Sequence, residues 1–147
     1  MTIDVWTVVR FLHIIGAILW IGGQLTFSLV VTPALKKVEE DDDRILTAQT
    51  AVARRFGNVV SYVGIPLQLA TGFALSYRAF DLGKGTIPNY GFWLGFKIIL
   101  FLGAILIAAV HGVMASRGAT GRTKALADTG MIVSLGILLI AVTLGGG

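Results

Sequence analysis

The 147-residue sequence contains no cysteine, only three prolines and few charged residues. The lack of cysteine excludes disulfides, iron–sulfur clusters, thiolate-ligated haem and haem attached through cysteine, but it does not identify the redox compartment. Charged residues make up 14% of the chain, whereas 55% of it is hydrophobic and its mean hydropathy is +0.82. A chain of this composition is predicted to be an integral membrane protein.

Four apolar stretches predict four membrane-spanning helices, at about residues 6–31, 56–77, 90–114 and 129–146. Each approaches or exceeds the ~20 residues that a helix needs to cross ~30 Å of hydrocarbon. The connections are too short for a soluble domain. We therefore predict an all-α fold, a single integral-membrane four-helix up-down bundle over residues 1–147. The first stretch is too long for a signal peptide and lacks a cleavage site, so we expect it in the mature protein.

The basic residues predict the orientation of these helices. Only Arg78 and Lys84 lie in the loop after the second stretch, whereas eight basic residues lie in the other two loops. The eight are Lys36, Lys37, Arg44, Arg54, Arg55, Arg117, Arg122 and Lys124. Such an excess marks the cytoplasmic side, so we predict a multi-pass protein of the cytoplasmic membrane with both termini extracytoplasmic. The net charge of +4 follows from this topology, and the expected partner is the lipid bilayer rather than nucleic acid.

The most informative residue is His13, which lies inside the first apolar stretch. An ionisable ring in hydrocarbon is costly, so it normally faces a bundle interior and has a partner there. Arg10, His13, Trp20 and Gln24 recur at helical spacing and form one stripe of the first helix. Arg10 lies one turn before His13, where it suits a propionate carboxylate. For Trp20, packing in the core is the alternative to a cofactor contact.

Depth in the membrane decides which residue can meet His13. In an up-down bundle the first and third helices are parallel, and His13 lies seven residues after Trp6 while Lys97 lies seven after Tyr90. Both are therefore predicted about 10 Å from the extracytoplasmic end, whereas His111 lies ~21 Å further along the third helix. This pairs His13 with Lys97 and argues against a haem held between His13 and His111 in one subunit. A structural histidine and a snorkelling lysine are the simpler alternatives.

A neutral imidazole in a helix bundle is a usual axial ligand of haem iron. Haem is therefore one candidate cofactor. Lys97 would be the sixth ligand if deprotonated, and would otherwise hold a propionate or donate a proton. The predicted cofactor-binding residues are His13, Lys97, Arg10 and Trp20, and the predicted metal ligands are His13 and His111.

Copper is the rival cofactor, because Cu(I) prefers soft ligands. With no cysteine in the chain, a copper site would combine His111 with Met114 and Met131. Glycines near His13 have two interpretations: they allow close packing of helices, or they make room for a flat cofactor. Pro33 and Pro66 are predicted to kink or end the helices that contain them.

The segment Leu12-His13-Ile14-Ile15-Gly16, followed by Trp20-Ile21-Gly22-Gly23, resembles the first helix of the copper-resistance D (CopD) family and of HemJ-type protoporphyrinogen oxidases. Arg54-Arg55-Phe56 is similar to the entry of the second HemJ helix, and Trp93-Leu94-Gly95-Phe96-Lys97 with His111 resembles the third. The resemblance implies a four-helix haem-b membrane protein with His13 as haem ligand and Lys97 as an essential partner. HemJ-type proteins carry Arg-Trp and Asn-Glu pairs before the last helix, which residues 125–130 lack.

The sequence thus predicts a haem-b-binding, redox-active membrane protein of the CopD/HemJ type, serving electron transfer or an oxidoreductase reaction. The alternatives are copper transport or resistance and protoporphyrinogen oxidase activity. The expected protein partner is either a second copy of the chain or a component of a respiratory chain.

Overall fold

The computed structural model describes residues 3–116 and 120–145. Within these ranges there is no strand, which confirms the predicted all-α class. All four long helices contain segments apolar and long enough to cross a membrane, so the chain is a multi-pass membrane protein. Arg117, one of the basic residues that predict the orientation, lies outside the described residues. The helices are α1 (Val5–Val38), α2 (Asp42–Asp81), α3 (Tyr90–Ser116) and α4 (Thr120–Gly145).

The chain divides into two compact units, Met1–Leu82 and Gly83–Gly147. The first unit contains α1 and α2, and the second contains α3 and α4. Each unit is therefore one pair of helices joined by a short connection. That all 147 residues form a single domain stays a prediction.

Helices α1 and α2 form an antiparallel hairpin. Near the start of α1 the Arg78 guanidinium lies over the Trp6 ring, 5.1 Å from its centroid. Towards the other end, Gly23 packs against the Phe56 ring so closely that a Cβ at Gly23 would lie 2.1 Å from Phe56 Cε2. Residue numbers thus rise along α1 as they fall along α2. This register brings His13 opposite Thr71, in the C-terminal third of α2.

Both helices begin at an aspartate cap. The Asp4 carboxylate accepts from Thr7 N (2.8 Å) and Thr7 Oγ1 (2.6 Å), and these hydrogen bonds lower the pKa of Asp4. The Asp41 carboxylate accepts from the backbone N–H groups of Asp43 and Arg44. Because such caps satisfy N–H groups that have no partner within the helix, α2 starts at Asp42, well before the apolar stretch that predicted it.

The hairpin contains three stretches of π-helix, at Ile18–Gly22, Phe27–Val31 and Val60–Gly64. The second and third end two residues before Pro33 and Pro66, respectively. Proline lacks the N–H that would bond to the carbonyl four residues earlier, and its ring crowds that carbonyl. The predicted disruptions at the two prolines therefore occur as local widening, while both helices continue.

In the second unit, α3 and α4 also form an antiparallel pair. Gly130 of α4 lies against Ile107 of α3, where an added Cβ would be 3.4 Å from Ile107 Cγ2. The connection between α2 and α3 includes a short 3₁₀ turn, Lys84–Thr86, which follows Gly83 in the left-handed region at φ 78°. Glycine meets this φ without the penalty that a Cβ brings.

Candidate functional site

His13 is held by a hydrogen bond to the neighbouring helix of its own unit. Its Nδ1 atom lies 2.8 Å from Thr71 Oγ1, across a sequence separation of 58 residues. Thr71 is only 6% exposed, and His13 is half-buried. A buried threonine hydroxyl is therefore one partner of this intramembrane histidine.

The threonine also determines which ring nitrogen carries the proton. Thr71 Oγ1 donates its single hydrogen to the carbonyl oxygen of Leu67, at 2.5 Å, one turn earlier in α2. Towards His13 the hydroxyl can therefore only accept, so Nδ1–H of the imidazole donates. A neutral imidazole in this tautomer carries its lone pair on Nε2, which is the atom that a metal or haem iron would use.

The glycine beside this pair makes room for the imidazole. A Cβ at Gly72 would lie 3.3 Å from His13 Cε1. One turn along α1, a Cβ at Gly16 would lie 3.2 Å from both Cγ and Cδ of Gln68. Among the described residues, Gly72 and Gly16 thus accommodate side chains of the opposing helix. This favours the packing interpretation of the glycines over room for a flat cofactor.

Gln68 places a buried polar atom one turn from Thr71. Its Oε1 is buried and has no hydrogen-bond partner among the described residues, and the same holds for Oε1 of Gln24. A buried acceptor without a donor costs about 1–3 kcal/mol. The hairpin around His13 therefore has spare acceptor capacity that a donor group could satisfy.

The other two predicted site residues of α1 differ in burial. Trp20 is only 4% exposed and lies at the centre of the π-helical stretch Ile18–Gly22, so it is a core residue of the first unit. π-Helical stretches occur frequently at functional sites. Arg10 is exposed, and it forms no hydrogen bond or ion pair with any described residue. Its position one turn before His13 is as predicted.

The remaining predicted residues belong to the second unit. Lys97 and His111 are both half-buried on α3, fourteen residues apart. At 1.5 Å per residue this separates them by about 21 Å along the helix axis. The predicted pairing of His13 with Lys97 joins residues of the two units and stays a prediction.

The copper alternative needs His111, Met114 and Met131 to converge. The contact of Gly130 with Ile107 places Met131 close to the level of residue 106 on α3. Met114 lies eight residues from that level, about 12 Å along the axis. The copper alternative stays a prediction.

Thr71 and Gly72 complete the histidine site, and the sequence analysis did not single them out for this role. The only signal was a polar residue within the apolar second stretch. Its partner could not be identified, because the pairing depends on the register between two helices. The register itself becomes visible only when Trp6, Gly16 and Gly23 are placed opposite α2.

The chain is similar to an uncharacterized protein of Aquifex aeolicus (strain VF5), to which it is 29% identical over 109 residues. The matched region covers 74% of this chain and 69% of the relative. No family model matches the chain, and no solved structure matches it. The assignment of a function therefore depends on the residues and geometry of the histidine site.

Proposed function

We propose that this protein is a haem-b-binding, redox-active membrane protein of the CopD/HemJ type, serving electron transfer or an oxidoreductase reaction. The observation that carries the proposal is the hydrogen bond from His13 Nδ1 to Thr71, whose own proton goes to Leu67. Metal-ligating histidines almost always donate their other ring N–H in this way, which sets the tautomer and the orientation of the ring.

The residues around His13 fit a histidine that would bind haem. The hydrogen bond to Thr71 holds the ring and increases the basicity of Nε2. Gly72 leaves space for the imidazole without a clash, and α1 and α2 support it on two rigid helices. Haem, when bound, would supply the one-electron chemistry, while the chain supplies ligation, orientation and electrostatics.

Further roles follow from the positions of three other residues. Arg10, exposed and one turn from His13, would bind a propionate carboxylate. Trp20 would close the apolar wall of the site. Lys97 of α3, which the resemblance to HemJ-type proteins implies as an essential partner, is the residue that we propose to act with His13 on haem.

The decisive measurement is the absorption spectrum of the purified protein, oxidised and reduced, after haem is supplied. We expect a Soret band that His13→Ala removes and that His111→Ala retains, because among the described residues it is His13 that is hydrogen-bonded to a threonine. Both variants must be purified as well-inserted protein of unchanged helical content. A wild-type protein without a Soret band, or a band that survives His13→Ala but not His111→Ala, would overturn the proposal.

We also propose that the protein lies in the cytoplasmic membrane with the loop after α2 on the extracytoplasmic side. The distribution of basic residues supports this orientation. Because the chain has no cysteine, single cysteines report topology directly. A membrane-impermeant maleimide should label Lys84→Cys in intact cells and Glu40→Cys only after the membrane is opened. The reverse pattern would refute the orientation.

A further inference from the structure

A cavity of about 430 Å³ lies in the second unit, where the start of α3 meets the end of α4. Its walls are mostly apolar and include Trp93 of α3 together with Leu139 and Ile140 of α4. Three residues with polar groups complete it, Lys84 from the connection, Tyr90 from α3 and Thr143 from α4. The cavity belongs to the second unit, whereas His13 belongs to the first.

The rim of the cavity is preformed by the connection before α3. Ile87 N donates to Lys84 O at 3.0 Å, and Tyr90 N donates to Ile87 O at 3.1 Å. Asn89 adopts a positive φ of 63°, a conformation that asparagine tolerates better than most residues. These successive turns hold Lys84 and Tyr90 in the wall of the cavity. Pockets for small ligands are usually largely preformed in this way.

The aromatic wall has a defined orientation. The Trp93 ring meets Phe92 edge-to-face at 5.4 Å between centroids and Phe96 at 6.2 Å. Such contacts restrain the indole, which therefore offers a stable apolar surface to a planar ligand.

The polar groups supply both kinds of hydrogen-bonding function. The Lys84 ammonium carries three donors and no acceptor. Thr143 Oγ1 donates to Ile140 O at 2.8 Å, so towards the cavity its oxygen accepts. The site can thus bind a carbonyl acceptor at Lys84 and a hydroxyl donor at Thr143.

We propose that this cavity binds the head group of a lipophilic quinone. A planar ring would pack on Trp93, its carbonyl would accept from Lys84, and its tail would leave past Leu139, which is 68% exposed, into the bilayer. The volume falls within the ~300–1,000 Å³ typical of pockets for compact ligands. A phospholipid would instead have to place two long chains here. The choice of a quinone over another compact amphiphile rests on the proposed redox function.

The test is quenching of tryptophan fluorescence by a decyl-substituted benzoquinone, using the full chain in detergent without haem. Trp93 lines the cavity, whereas Trp6 and Trp20 belong to the first unit. We expect saturable quenching that Trp93→Phe removes. Lys84→Ala should weaken the apparent affinity about tenfold, the effect of losing one hydrogen bond to a charged group.

A matched pair of variants separates binding in the cavity from partition into the micelle. Leu139 and Ile132 lie on the same helix and are both 68% exposed, but only Leu139 lines the cavity. Leu139→Phe should abolish saturation, and Ile132→Phe should leave the affinity within about twofold of wild type. Equal, non-saturable quenching in wild type and Leu139→Phe would overturn the proposal, as would complete displacement by equimolar anionic phospholipid.

The haem and quinone proposals can fail separately. Saturable quinone binding by a protein that never shows a Soret band would support the cavity and refute the haem assignment. A Soret band in a protein without saturable quenching would refute the cavity alone.

Discussion

Replacement of Thr71 by valine tests the histidine site with the smallest change in shape. Valine keeps the volume and branching of threonine but removes the hydroxyl that lies 2.8 Å from His13 Nδ1. Thr71 is 6% exposed, so water cannot readily replace that oxygen. The imidazole N–H would then be left without this acceptor, which costs about 1–3 kcal/mol.

The expected consequence is weaker haem binding. Loss of the partner that orients a ligating histidine typically lowers metal affinity about 10–100-fold. Haem titrated into the haem-free Thr71→Val protein should therefore show a dissociation constant raised by roughly that factor. Thr71→Ser, which keeps the hydroxyl, should remain close to wild type.

A second measurement distinguishes positioning of the ring from simple loss of packing. The hydrogen bond makes Nε2 more basic, which favours oxidised iron. Thr71→Val should therefore raise the midpoint potential of the haem that remains bound, and Thr71→Ser should not. If Thr71→Val binds haem within about twofold of wild type at an unchanged potential, the role assigned to Thr71 is wrong.

Two further predictions concern the same hairpin. Gly72→Ala places a Cβ 3.3 Å from His13 Cε1, so the ring must shift; we expect haem affinity to fall roughly fivefold, measured by the same titration. Gly57→Ala, on the same helix with nothing within 4 Å of the new Cβ, is the control and should change nothing. The pKa of Asp4 is lowered by its hydrogen bonds to Thr7. The ionised carboxylate therefore stabilises the folded protein fully above the unfolded pKa of ~4, and this stabilisation is lost as the pH falls through the lower pKa of the folded state. The protection of the Thr7 amide, which is its exchange rate relative to the intrinsic rate at the same pH, should fall on acidification through that range, and equal protection in wild type and Asp4→Ala at neutral pH would contradict the cap.

The sequence was sufficient to predict the four spans, because an uninterrupted apolar run of about 20 residues is rare outside membrane-spanning helices. It was insufficient for the start of α2. The Asp41 cap and the first turns of α2 are polar, so hydropathy carries no signal there.

The candidate site was predictable only in part. His13 stood out because an ionisable residue in hydrocarbon is rare. Its hydrogen bond to Thr71 depends on how α1 and α2 align, which side-chain periodicity within one helix does not specify. Likewise, Pro33 and Pro66 predicted a disruption of the helix next to two of the π-helical stretches. No proline lies in or just after Ile18–Gly22, so the sequence did not predict a disruption there.

The π-helical stretch at Ile18–Gly22 makes the face of α1 discontinuous. A turn closed by an i→i+5 bond holds one more residue than a regular turn, so side chains beyond it are rotated by about 100° relative to an unbroken helix. Deleting one residue between positions 18 and 22 would restore the regular helix while leaving His13 in place and turning Gln24 towards a different neighbour. An alignment of relatives of this protein should therefore show a single-residue gap in this segment. The helical periodicity of residues before the segment should then be compared separately from that of residues after it.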